Sequence, residues 1–479
     1  MRRCSTRTSR ATRRRAPPRR HRARRGGSAC SADPAARAVS TGATRYLSLL
    51  GLGFGDCGKG LYTDHFCAAL RAHTVVRFNG GAQAGHNVVR ADGRHHTFSQ
   101  FGAGSFEPDV VTLLASAVVV HPTALLVEAA VLRDKGVPDA LARLRIDARC
   151  RVTTPFHQAA GRLREWARGD AAHGSCGVGV GETVRQALAA PELALRYGDL
   201  LRPALAFEKL EALRLALLRE FESRPDPDWQ REQALLADTS LSQRWLAAIE
   251  PCLRAAPPAG VDAIAGQLAR PGAVVFEGAQ GVLLDEWRGF HPHTSWSTVS
   301  TAAVEAVLRD AGLGTPPVRH LGVLRSYLTR HGAGPLPTHD PALATRLPEP
   351  HNADAGWQGA FRRGHPDAVL LRYAIAAAGP LDGLVASHLD AIGHAGLRWC
   401  EGYRDTDGET VAQLALGPEA DLDHQQRLTR LLERVRPVYA EAGIANERDW
   451  LERVEAASGL RVQWGSRGPT RQDVADCAS

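Results

Sequence analysis

Lysine is nearly missing from this sequence. Of 59 basic side chains in 479 residues, only Lys59, Lys135 and Lys209 are lysines, so a lysine kept at position 59 carries more information than usual. The nine cysteines form no Cys-x-x-Cys pair and are odd in number. That argues against a disulfide framework or a structural zinc site, and makes a reducing cytoplasm the expected compartment. No apolar run approaches the roughly 18–20 residues that span a bilayer, so no membrane segment is expected. Acidic residues are almost absent from positions 1–44, where thirteen arginines face a single Asp33. That segment carries +12 and the remainder about −4, so the basic excess is local and nucleic-acid binding is not implied. The same stretch lacks the apolar core of a secretory signal; its Arg- and Ser-rich composition suits a transit peptide, and a disordered Arg-rich leader is the simpler reading.

From residue 45 the composition is that of a globular protein, with 44% hydrophobic and 23% charged residues over the whole chain. Tyr46–Phe54 is short, apolar and interrupted by glycine, and reads as a buried strand followed by a helix from Lys59 to Leu70. Thr74–Phe78 reads as a second strand, and Val110–Val120 as one or two more. Pro122 opens a helix that runs through Lys135 and is closed by Gly136. This β-α-β alternation predicts an α/β fold, a large mainly parallel sheet covered by helices. Residues 203–268 are helical in period, with few strand signals, and read as a helical insertion. Strand signals return at Ala273–Phe276, Val318–Leu328, Gly383–Leu389 and Leu397–Tyr403, with helices at Val299–Ala311 and Asp367–Ala378. Helices near His424–Ala442 and Glu447–Ala457 and a strand at Leu460–Trp464 complete the pattern.

Three glycine-rich turns carry the chemistry. Gly53-Phe54-Gly55-Asp56-Cys57-Gly58-Lys59-Gly60 follows a strand and opens a helix. It matches the phosphate-loop pattern, in which backbone N–H groups, a helix N-terminus and a lysine surround phosphate. Gly60 stands where Ser or Thr is usual, so magnesium needs another ligand, and Asp56 is the candidate. Asn79-Gly80-Gly81-Ala82-Gln83-Ala84-Gly85-His86-Asn87 follows the next strand, which places His86 beside the first loop as a candidate general acid. Phe276-Glu277-Gly278-Ala279-Gln280-Gly281 again joins a strand to a glycine turn, with the Gln280 amide as a candidate oxyanion donor.

These turns, with Thr329-Arg330-His331-Gly332-Ala333-Gly334-Pro335, Leu389-Asp390 and Ser466-Arg467-Gly468-Pro469, occur in one order and resemble the adenylosuccinate synthetase family over residues 45–475. The resemblance implies a ligase that joins aspartate to the 6-position of IMP, with GTP as phosphoryl donor and magnesium. It implies Asp56 as the base at N1 of the purine and as a magnesium ligand, with the Gly85 carbonyl as a second. His86 and Gln280 would assist attack of the 6-oxygen on the γ-phosphate. Gly58, Lys59 and Gly60 would cradle the GTP phosphates; Asp390, Ser466, Gly468 and Pro469 would hold its base. Gln83, Ser175, Cys176, Thr294, Arg330, Arg362 and Arg363 fall on the substrate side. The partners implied are small molecules and a second copy of the chain, as a homodimer.

The departures from that family cluster around the substrates. Cys57 follows the catalytic Asp where the family has Glu, and Gln83 replaces an Asn. Gly174-Ser175-Cys176-Gly177-Val178-Gly179-Val180-Gly181 lacks the paired threonines of the nucleotide-phosphate loop. The arginine that reaches across the dimer has no clear counterpart, with Arg185 nearby. Trp357-Gln358-Gly359-Ala360-Phe361-Arg362-Arg363 keeps two of four arginines in the aspartate loop, still enough for bidentate pairing with a carboxylate. His388 replaces a lysine beside Asp390, which weakens the case for GTP over ATP. Three readings therefore stay open: the IMP reaction, a paralogue on another purine nucleotide or amine (such as the 2-aminoadenylosuccinate branch), and a nucleotide-binding module without turnover.

Overall fold

The computed structural model describes residues 44–169, 174–349, 352 and 359–477. The leader, except Thr44, lies outside the described residues, as do Trp357 and Gln358 of the aspartate loop.

A ten-stranded sheet forms the frame. Its central strand is Thr44–Gly51, whose apolar residues Leu47, Leu49 and Leu50 are buried on both faces, as a parallel strand between helical layers requires. On one side lie Gly272–Glu277, Ala72–Arg77, Val111–Leu114, Leu144–Asp147 and the short Pro258–Ala259. On the other lie Val318–Arg325, Gly383–Ser387, Val462–Ser466 and Val474–Asp476. Every pairing is parallel except the last, where Val474–Asp476 runs antiparallel to Val462–Ser466 at the sheet edge. The expected α/β architecture is thus present. Six adjacent parallel strands, in the spatial order Val462–Ser466, Gly383–Ser387, Val318–Arg325, Thr44–Gly51, Gly272–Glu277 and Ala72–Arg77, end at one rim. Ligands bind at that carboxyl rim in open α/β sheets.

The helix Lys59–Leu70 starts as expected, directly after the phosphate loop. Its N-cap is Gly58 at φ 93°, and a Cβ there would come within 2.8 Å of the Ser387 side chain, so conformation and space both demand glycine. Residues 203–268 hold Pro203–Glu220, Pro227–Ala237, Leu241–Ala255 and Val261–Leu268. Leu213, Leu217, Trp229, Leu236, Trp245 and Ile249 from these helices share one apolar cluster with Phe156 and Leu163 of Pro155–Arg168.

Three elements differ from expectation. The 424–442 helix stops early, as Leu422–Leu432, and Arg436–Tyr439 is a strand paired with Cys400–Arg404. Pro437 is the cause, since the residue before a proline is pushed out of the helical region. The continuous strand at 318–328 is two, Val318–Arg325 and Leu328–His331, the second pairing with Phe361–Gly364 outside the main sheet. Cys400–Arg404, likewise, belongs to a small antiparallel sheet of its own.

Candidate active site

A cavity of about 720 Å³ opens at the rim, lined by the 54–61 loop, residues 83–87, Gln280 and residues from 293–295, 325–333, 348–352, 388–390 and 468–469. Asp56 sits inside it in a left-handed conformation, φ 42°. Its backbone carbonyl accepts a hydrogen bond from Arg325 at 3.1 Å, and its Oδ2 lies 2.9 Å from His331 Nε2. Burial works to raise the Asp56 pKa, but the His331 hydrogen bond and the charges of His331, Arg325 and Lys59 outweigh it and hold the carboxyl below its ordinary value. The carboxylate is therefore ionised and partly exposed to the cavity.

Lys59 is buried under the loop. Its Nζ donates to the Gln280 carbonyl at 2.6 Å and lies 3.6 Å from Cys57 Sγ, so the lysine ties two glycine turns together. Gln280 itself is held at φ 56°, and its Oε1 is buried without a hydrogen-bond partner. The Gln83 Oε1 is in the same condition. A buried amide oxygen left unpaired costs on the order of 1–3 kcal/mol, which a ligand donor would recover. His86 is buried, with Nδ1 2.6 Å from Glu277 Oε1. Burial pulls its pKa down to about 4 against the opposing pull of Glu277. Glu277, for which burial acts upward, is kept low by His86 and Arg77.

Asp390 is exposed at the cavity edge beside His388, whose Nδ1 meets Ser387 Oγ at 2.9 Å. Burial and the nearby Arg325 push the His388 pKa well below normal, so it is neutral and not a substitute for lysine's charge. Gly468 and Pro469 line the cavity, while Ser466 is buried behind them and donates to the Gly468 carbonyl at 2.5 Å. Arg471, two residues on, bridges to Glu107 at 2.6 Å and reaches Asp64 of the Lys59–Leu70 helix at 3.6 Å. The 466–471 turn is thus anchored to the helix that opens at the phosphate loop.

The substrate-side residues are placed differently. Thr294 and Arg330 line the cavity. Arg330, however, spends its guanidinium on the carbonyls of Ala333 (3.0 Å), Pro335 (2.9 Å) and His293 (3.2 Å), and stacks 4.2 Å over Phe54. Burial lowers its pKa to about 9. Ser175 and Cys176 do not line the cavity, though Gly174 does, and Arg185 pairs with Glu182 at 2.9 Å. Arg362 donates to the carbonyls of Gly332 (2.6 Å) and Gly334 (2.8 Å), and Arg363 to those of Leu347 (2.8 Å) and Phe361 (3.0 Å); neither lines the cavity. In this structure the two arginines hold turns together instead of facing a substrate carboxylate.

Sequence reasoning gave no role to Glu277, His331, Arg325 or Glu349. Glu277 ends an otherwise apolar strand, where a buried carboxylate has to be paired, and that was a usable signal. Arg325 bonds both Glu349 and Tyr327 and supports Asp56 from behind, which no local pattern announces.

Phosphate loop, helix N-terminus, ionised aspartate and buried histidine at one rim define a nucleotide-dependent α/β enzyme. The comparisons narrow this. The adenylosuccinate synthetase family model matches residues 48–475. The adenylosuccinate synthetase of Pseudomonas fluorescens (strain SBW25) is 33% identical over 446 residues, 89% of this chain and 97% of that protein. That of Ectopseudomonas mendocina (strain ymp) is 32% identical over 442 residues, with the same coverage. The fold is shared with fully ligated adenylosuccinate synthetase from Plasmodium falciparum, with a TM-score of 0.72 and 20% identity over 90% of this chain and 99% of that one. It is shared less closely with the succinoaminodeoxyadenylate synthetase of cyanophage S-2L, bound to dGMP and dATP as an energy donor (TM-score 0.56, 18% identity, 91% and 96% coverage). The chain belongs to the adenylosuccinate synthetase family, ligases that form a C–N bond. Among the described residues no helix is long and apolar enough to cross a membrane.

Proposed function

We propose that this chain joins L-aspartate to the 6-position of IMP at the expense of GTP, through a 6-phosphoryl intermediate. The observation that carries the reading is the ionised, cavity-facing carboxylate of Asp56, beside Lys59 and within the same cavity as His86 and Gln280. A carbonyl oxygen is a poor leaving group, and phosphorylation converts it into a good one. Asp56 takes the proton from purine N1 as the 6-oxygen becomes nucleophilic. Lys59 and the N–H groups opening the Lys59–Leu70 helix hold the phosphates. The Gln280 amide stabilises the oxygen as charge develops, and His86 stands at the transferring phosphoryl group. The aspartate amine then displaces phosphate at C6.

Magnesium fits the donor chemistry at the loop. Hard cations of this size take oxygen ligands, often one carboxylate with phosphates and water completing the shell. Asp56 and the Gly85 carbonyl, both on the cavity wall, are the residues that would hold it, and the ion would neutralise phosphate charge. Asp390 with Gly468 and Pro469 would take the GTP base, and the functional unit would be a homodimer.

A specific observation favours a second reading for the substrates. Arg362 and Arg363 are occupied by backbone carbonyls, and Arg330 as well, so the amino-acid side is less committed than the phosphate side. Another purine monophosphate or amine is therefore the alternative. Purified protein with IMP, aspartate, GTP and magnesium should show the near-ultraviolet change of adenylosuccinate together with phosphate release. Product from a 2-amino purine nucleotide but not from IMP would select the alternative, and no product with any purine monophosphate would reject the ligase reading.

A further inference from the structure

His86 has a fixed partner that the proposed chemistry leaves without a task. Glu277 is fully buried at the end of strand Gly272–Glu277. Its Oε1 is 2.6 Å from His86 Nδ1, and its Oε2 accepts the Ala103 N–H at 2.9 Å. Arg77 ends the neighbouring parallel strand as the register partner of Glu277, and its Nε lies 4.0 Å from Oε2. The same guanidinium donates to the Phe101 carbonyl at 3.1 Å, while Nε has no hydrogen-bond partner. The cation is therefore clamped against the glutamate.

A buried carboxylate persists in ionised form only when it is paired and hydrogen-bonded, and Glu277 has a cation, a backbone N–H and an imidazole around it. An ionised carboxylate can only accept. His86 Nδ1 therefore carries the proton that is donated to Glu277, and Nε2 is the nitrogen left for a ligand in the cavity that His86 lines. Both sides of the clamp come from strand ends at the rim, so the ring is oriented by the sheet and not by a loop.

We infer that Glu277, held by Arg77, is a positioning residue for His86: it fixes the ring and its Nδ1–H tautomer so that Nε2 is presented to the transferring phosphoryl group. This rests on the ligase reading of the site. It also accounts for a buried charged pair at the rim of the sheet, where two apolar residues would pack more simply.

The test has a spectroscopic and a kinetic arm. In protein labelled with ¹⁵N-histidine, the His86 signal, assigned by its absence from His86→Asn, should be that of a ring with its Nδ1 protonated. A neutral Nε2–H ring would overturn the inference, whether or not the protein has ligase activity. Glu277→Gln is isosteric, yet its one amide oxygen cannot accept from both His86 and Ala103, so the tautomer should shift. Its kcat should fall on the order of 10²–10⁴-fold, the range of a positioned acid–base group. Nucleotide KM should move less than about threefold, since the loss is confined to the transition state. Glu277→Gln in the His86→Asn background should cost nothing further. A full multiplicative loss there would show that Glu277 acts independently of His86 and would overturn the inference. If Glu277→Gln does not fold, the tautomer of the unsubstituted protein decides the question.

Discussion

The proposed phosphate side and the proposed substrate side of the site are built by different means. On the phosphate side, Asp56, Lys59, Glu277 and Gln280 stand at or just past the ends of two hydrogen-bonded strands, and His86 follows the next strand of the sheet. On the substrate side, residues 174–181 and 359–363 lie on segments outside the main sheet, of which only Gly174 lines the cavity, and Arg362 and Arg363 are satisfied by local carbonyls. Sheet register fixes which side chains meet at the rim, whereas a loop is placed by its own turns. The departures in 174–181 and around 359–363 fall where the main sheet gives no support, whereas Cys57, Gln83 and His388 stand in segments that directly follow its strands.

That contrast is open to being broken. The largest expected effect is on the phosphate side. Asp56→Asn should lower kcat on the order of 10²–10⁴-fold, the scale of a removed general base, with the thermal transition little changed. Retained turnover would remove Asp56 as base. His86→Asn should also change stability with pH. The His86 pKa is lowered by burial to about 4, so between roughly pH 4 and 6.5 the unfolded chain binds a proton that the folded chain does not. Stability then rises with pH through that window and is lost as pH falls through it, by at most about 3 kcal/mol from this residue. Calorimetry at pH 4.5 and 6.5 should show a smaller difference in Tm for His86→Asn than for the unsubstituted protein; an equal difference would mean that the ring is not buried as described.

On the substrate side the expectation is inverted. Arg363→Ala should act through the fold, costing about 1–3 kcal/mol for carbonyls left unpaired. The KM for the amine donor, measured on folded protein, should stay nearly constant. A large rise in that KM with an unchanged Tm would show that the 359–363 turn rearranges to meet substrate, and the two halves of the cavity would be more alike than they look. The smallest effect is expected from removing residues 1–43. The basic excess resides there, and the cavity residues lie from Phe54 onward, so kcat/KM should not change.

Much of the phosphate side was legible in the chain. Period, glycine spacing and strand-then-turn order place Asp56, His86 and Gln280 at one rim without any coordinates, because parallel strands line up their C-terminal ends. The clamp of Glu277 by Arg77 was not legible: the two are 200 residues apart and meet only through strand register. His331 stood in a quoted motif, yet its contact with Asp56 depends on the turn at Ser326-Tyr327, which splits what the pattern reads as one strand. The 424–442 helix failed for a local reason, Pro437, that period alone outvoted. Arg362 and Arg363 have the right chemistry for a carboxylate, but nothing in their spacing says which carbonyls compete for them.

The central claim is that the phosphate side activates a purine oxygen by phosphorylation. IMP labelled with ¹⁸O at the 6-position, incubated with the protein, aspartate, GTP and magnesium, tests it in one step. The label should leave the purine and appear in inorganic phosphate, in step with C–N bond formation. Phosphate released without label while product forms, or label retained on the purine, would contradict the account.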